Sequence, residues 1–159
     1  MNKTYLLRDA IIFNPTGKKY NAIAEAATVK EIKQQKEYFD FDFVSLFKEF
    51  TVYKICKLGD EDVIQGLVAF KPSIGILQCA NMEINAINEK PLLLHGGVGK
   101  CMVALCCKIS FDMGFEGYIS FIAKNRLQPY YRRLGAFNTS GLNMAIRTAE
   151  AYKLVAQYF

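Results

Sequence analysis

The residues best suited to chemistry fall in residues 92–114. His95-Gly96-Gly97-Val98-Gly99-Lys100 is a glycine turn that carries the chain's only histidine and a lysine. It opens onto a helical pattern. Val98, Cys101, Met102, Leu105, Cys106, Ile109 and Met113 recur at three- and four-residue spacing, one face of a 3.6-residue period. Lys100, Lys108 and Asp112 fall off that face, and Gly114 stands where a helix C-cap belongs. The first N–H groups of a helix have no internal partner and sit at the positive end of its dipole. Glycine lets an anion approach them, and Lys100 adds a full charge. The turn has the composition of a phosphate cradle, built on the N–H groups of Val98, Gly99 and Lys100. A plain tight loop is the alternative reading.

The elements around the turn must hold it. Residues 3–13 read as a strand that stops at Asn14-Pro15. Residues 19–38 read as helix, from their alanines, glutamates and lysines. Residues 39–50 carry Phe39, Phe41, Phe43, Phe47 and Phe50, a density that suits core or a groove wall. The pattern then changes to period two. Strands at 51–58, 63–71 and 74–87, with a polar turn at 59–62 and a stop at Pro72, form an antiparallel meander. Residues 118–123 are continuously apolar, as in a buried central strand, and Asn125 comes after them. One or two helical turns at 128–134 close at Gly135. A short strand at 143–148 and a helix at 149–159 end the chain. The order predicts an α/β (α+β) fold: a mixed, mostly antiparallel sheet with helices on both faces, in a single domain over residues 1–159.

Composition narrows the function. The chain is 52% hydrophobic and 22% charged, the balance of a folded core. A net charge of +5 is mild and its lysines are scattered, so no nucleic-acid partner is expected. The five cysteines form no CxxC and have no histidine cluster beside them. Buried free thiols in a reducing cytosol are expected, with neither a disulfide framework nor a metal site. The N-terminal residues lack a signal peptide's apolar core, and no apolar run is long enough for a membrane span. The expected location is cytoplasmic, with no membrane partner. Whether the chain forms a homodimer stays open.

Two families resemble parts of this pattern. The turn from His95 to Cys101 is similar to the deviant phosphate-binding loop of the chromosome-partitioning ATPases. It departs in having Cys101 where a Mg²⁺-binding hydroxyl belongs, His95 where a lysine belongs, and no later strand ending in aspartate. The GNAT acyltransferases (Gcn5-related N-acetyltransferases) resemble a longer stretch, about residues 79–137, and within them an uncharacterised bacterial subgroup. Gly97-Val98-Gly99 resembles their pyrophosphate turn, Asn125 the asparagine after the next strand, and Tyr131-Arg132-Arg133-Leu134-Gly135-Ala136-Phe137 their Tyr-x-x-Leu-Gly-Phe signature. Here too there are departures: Leu94 is apolar where Arg or Gln is common, Ala136 is an extra residue, and the connection over residues 88–95 is long.

The GNAT resemblance implies acetyl transfer from acetyl-CoA, as co-substrate, to the amine of a small molecule or peptide. It places the diphosphate on Gly97, Val98, Gly99 and Lys100 and the pantetheine arm on Asn125. Backbone donors near Ile84 and Ala86 would polarise the thioester carbonyl. The general acid would be Tyr131. Glu83, the nearest carboxylate in its strand, is the candidate base. His95 is a weaker candidate for base or phosphate contact. A non-catalytic acyl-CoA or partner-binding protein of the same fold, and the nucleotide hydrolase, are the alternatives.

Overall fold

The computed structural model describes residues 3–159. Its elements are β1 (Tyr5–Phe13), β2 (Lys18–Ala26), α1 (Val29–Gln34), β3 (Thr51–Lys57), β4 (Asp60–Ser73), β5 (Ile76–Ile84), β6 (His95–Gly96), α2 (Val98–Asp112), β7 (Ile119–Ile122), α3 (Gln128–Arg133), β8 (Phe137–Ser140), β9 (Asn143–Ile146) and α4 (Thr148–Tyr158). Short 3-10 turns occupy Lys36–Tyr38, Phe43–Leu46, Ala86–Asn88 and Asn125–Leu127. One mixed sheet runs in the order β6-β1-β2-β3-β4-β5-β7-β9-β8. Its only parallel pair among the described residues is β5 with β7.

Two apolar layers flank the sheet. On one face α2 and α4 cover Leu7, Ile11, Ala22, Ala24, Ile55 and Val68. On the other, α1 and the turn Phe43–Leu46 cover Cys56, Ile64 and Leu67. Phe43 is fully buried there, worth about 1.5–3 kcal/mol in water-excluded surface. A capping box starts α1: the Glu31 N–H donates to Thr28 Oγ1 at 3.2 Å, and the Thr28 N–H donates to Glu31 Oε2 at 3.1 Å.

Three expectations change. The first part of residues 19–38, to Ala26, is strand and not helix, and only Val29–Gln34 is α-helical. Ala22 and Ala24 lie fully buried beneath α2, and ladders to β1 and β3 on both sides outweigh alanine's helix preference. Strand β4 begins at Asp60 and passes through Pro72 to Ser73, so the polar turn is only Leu58-Gly59. Strand β7 is not buried throughout: Ile122 is 65% exposed. The reason is that β7 borders an opening in the sheet.

Helix α2 is buried almost all round, because it packs on both the sheet and α4. Its cysteines act as small apolar groups. All five cysteines are buried and free.

Candidate active site

The opening in the sheet is a fork. Strands β5 and β7 pair through three registered positions, Leu77↔Ile119, Gln78↔Ser120 and Cys79↔Phe121. Past Cys79 they part. Strand β5 continues to Ile84 along β4 alone, while the chain after Ile122 turns away into Asn125–Leu127 and α3. A bulge sits at the parting point: Phe70 faces Cys79 and Ala69 faces Asn81, which leaves Ala80 as the extra residue. Such a bulge bends its strand and re-aims the residues beyond it.

A cavity of about 630 Å³ fills the fork. It is lined from both faces of the sheet. Directly paired residues share a face. Met82, opposite Val68, and Ile84, opposite Gly66, lie on the α2 side, where both pack against the core. Asn81, opposite Ala69, and Glu83, opposite Leu67, lie on the α1 side. The cavity therefore passes through the sheet.

On the α2 side it ends at the glycine turn. Gly97 caps α2 with φ 83°, and no side chain caps the helix. The first helical hydrogen bond is from the Cys101 N–H to the Gly97 carbonyl, at 3.0 Å. The N–H groups of Val98, Gly99 and Lys100 precede it and have no helical acceptor. A β-bulge in β1, between Leu7 and Ile11, lends the Ala10 carbonyl to this turn. It accepts from the Cys101 thiol at 3.1 Å, and it lies 2.7 Å from where a Cβ on Gly97 would stand. Burial pushes the Cys101 thiol up to about 12. Cys101 is thus an anchor in the protein interior, not a stand-in for a metal-binding hydroxyl. The strand before the turn, β6, is two residues long and antiparallel to β1. This is not the parallel frame of a P-loop NTPase.

Tyr131 stands at the fork. Its ring lies on Phe121, with centroids 4.9 Å apart, and on Tyr130 at 5.3 Å. It lines the cavity and is half-buried. Burial, helped by Tyr130 and by the thiols of Cys106 and Cys79, pushes its phenol up to about 12. The proton is therefore held at neutral pH. Tyr130 reaches toward the glycine turn, with its hydroxyl 2.9 Å from where a Cβ on Gly99 would stand.

The other predicted positions divide. Gly97, Val98, Gly99, Ile84 and Glu83 line the cavity together with Tyr131. Lys100 flanks the turn, Ala86 lies in the 3-10 turn beyond β5, and Asn125 is exposed; none of these three lines the cavity. Lys124, Arg126 and Leu127 line it where Asn125 was expected. Glu83 is not a free carboxylate: its Oε2 accepts from the Asp40 N–H at 2.6 Å and its Oε1 from the Phe41 N–H at 3.0 Å. It ties the phenylalanine-rich segment to the cavity wall.

Sequence reasoning missed a buried polar chain behind the turn. Asn88 donates to Gln65 Oε1 at 2.8 Å, and its own Oδ1 receives the His95 N–H at 3.0 Å. Asn88, Gln65 and His95 are all buried. The signal was Gln65, a polar residue inside the apolar run from Val63 to Phe70.

The solved structures that this chain resembles carry the same architecture. One is AtaTR bound with acetyl-CoA, at TM-score 0.59 and 16% identity, covering 84% of this chain and 97% of that one. Another is the ribosomal-protein-S18-alanine N-acetyltransferase from Escherichia coli, at TM-score 0.60 and 8% identity, covering 79% and 92%. A third is a Bacillus subtilis acetyltransferase in complex with CoA, at TM-score 0.57 and 13% identity, covering 79% and 97%. No protein-family model and no curated protein sequence matches the chain. The likeness is one of structure: this is the GNAT acetyltransferase fold. Among the described residues no helix is long and apolar enough to cross a membrane, and no group of three metal-ligating side chains occurs.

Proposed function

We propose that this chain is an acyl-CoA-dependent N-acyltransferase that uses acetyl-CoA as co-substrate and acylates a primary amine of a small molecule or peptide. The observation that carries the reading is the through-sheet cavity, with open helix N–H groups at one end and the Tyr131 phenol at the fork. The turn suits a diphosphate: no side chain caps the helix, so its first N–H groups are left for a ligand. Structures of similar fold hold acetyl-CoA or CoA.

Acetyl-CoA supplies an acyl group on a thioester. The protein's part is orientation and proton handling. In this reading the N–H groups of Val98, Gly99 and Lys100, which have no helical acceptor, hold phosphate oxygens. The neutral amine nitrogen bonds to the acyl carbon, the carbon–sulfur bond breaks, and Tyr131 gives its proton to the departing sulfur. The proton that the amine sheds restores Tyr131, by way of solvent, and the second proton of the starting ammonium leaves to bulk water. With both Glu83 oxygens engaged, we assign Glu83 to holding the Asp40-Phe41 backbone and leave the base to cavity water.

Titration calorimetry with acetyl-CoA, followed by thiol release in an amine screen, tests this reading. Micromolar binding with amine-dependent release supports it. Binding without transfer to any amine favours a non-catalytic acyl-CoA binder, the reading that the occupied Glu83 carboxylate keeps open.

A further inference from the structure

The two faces of the cavity differ in charge and chemistry. The α2 face offers helix N–H donors and the apolar side chains of Met82 and Ile84. The α1 face offers Asp40, Phe41, Asn81 and Glu83. Asp40 and Phe41 are exposed and are held in place by the two bonds to Glu83. Glu89, also exposed, lines the cavity beyond the end of β5. The cationic lining residues, Lys124 and Arg126, come from the other arm of the fork, after β7. Asp40, Phe41 and Glu83 thus line the same cavity as Tyr131, from the α1 side.

We propose that the acceptor is a cationic amine with a second positive charge, a linear diamine or a basic peptide, held by Asp40, Glu83 and Phe41 while its reacting nitrogen reaches the fork. This rests on the acyltransferase reading and deepens it. Carboxylates beside a low-dielectric wall raise the local concentration of cations and exclude anions, which sets specificity more than raw affinity. The Phe41 face adds attraction for an ammonium group. Glu83 serves twice, since its charge faces the acceptor and its oxygens fix the Asp40-Phe41 backbone.

Three amines of matched length separate the outcomes: 1,5-diaminopentane, pentylamine and 5-aminopentanoate. Each is titrated into protein saturated with CoA and assayed with acetyl-CoA. We expect the diamine to bind at least about tenfold more tightly than pentylamine, and 5-aminopentanoate not at all. Raising salt should erode the preference. Asp40→Asn, at an exposed side chain, should reduce the diamine preference severalfold and leave the acetyl-CoA Kd unchanged. Equal binding of diamine and pentylamine, a preference for 5-aminopentanoate, or no binding of any of the three would overturn the proposal while acetyl-CoA binding still upheld the parent reading. Failure of acetyl-CoA itself to bind would overturn both.

Discussion

The Lys57 ammonium lies 3.3 Å from Nε2 of His95. Lysine can only donate, so Nε2 accepts, and the ring proton sits on Nδ1, which faces Asn88 Oδ1 at 2.9 Å. The imidazole is held neutral and spent on structure. Phe13 closes the pair, with its ring 5.5 Å from that of His95 and 5.4 Å from the Lys57 nitrogen. Both ring nitrogens of the one histidine in the glycine turn are thus engaged within the protein, and His95 also lines the cavity.

That arrangement makes stability depend on pH. Burial lowers the His95 pKa and the Lys57 charge lowers it further, with Asp60 opposing. The unfolded chain therefore binds a proton more readily than the native one. Stability is complete above the ordinary imidazole value of 6.5 and falls as pH drops through it. Thermal melts between about pH 5 and pH 7.5 should show this decline, and His95→Gln should flatten it. A slope unchanged in His95→Gln would assign the effect to other groups.

Two glycines at the start of α2, Gly97 and Gly99, carry different burdens. Gly97→Ala puts a Cβ 2.7 Å from the Ala10 carbonyl at φ 83°, which should destabilise the fold by about 1–3 kcal/mol in urea titrations. Gly99→Glu sets a Cβ 2.9 Å from the Tyr130 hydroxyl and brings a negative charge to the proposed cradle, so a folded mutant should lose CoA binding in calorimetry. Wild-type CoA affinity in that mutant would remove the cradle from the site.

Tyr131→Phe keeps the ring on Phe121 and deletes one hydroxyl. The acetyl-CoA Kd should hardly change, and single-turnover transfer should slow by about two to four powers of ten. A mutant as fast as the wild type makes Tyr131 a packing residue.

The helix thiols should be inert. Cys101 and Cys106 are fully buried. Burial raises Cys101 to about 12, and Cys106, facing Cys79, is also held well above an ordinary thiol. Labelling with a thiol reagent should be slow in native protein and fast in guanidinium. Rapid native labelling at either position would mean that α2 is not packed as described.

The parts of the fold that are legible in the sequence are those where local and tertiary preferences agree. Helix α2 shows its period, its glycine cap and its end at Gly114, and the packing it enters asks for the same things. The parting of β5 from β7 is implied by the family resemblance but has no local signature, because the bulge at that point is a single extra residue, Ala80, whose type gives no sign of it. Strand β2 reads as helix because alanine favours helix in isolation. Its Ala22, Ala24 and Ala26 alternation is the signal for a strand that leaves room for α2. Strand β8 escapes because Phe137-Asn138-Thr139-Ser140 is mostly exposed and polar. At the site, glycines and the tyrosine signature announce themselves by type. The engagement of Glu83 by two backbone amides from a segment far off in the chain does not.

The fork has a mechanical side. Two leaves of sheet, β6 through β5 and β7 through β8, meet at a seam only three rungs long. The end of the chain braces the first leaf, on α2 and β1: Ala151, Leu154 and Tyr158 are buried, and the Phe159 ring meets Tyr5 of β1 edge-on at 6.2 Å. The first leaf is therefore backed by α2 and the last helix, while the second leaf is tied to it along those three rungs. Trimming those last residues would uncover α2 and the first strand without touching one group that lines the opening.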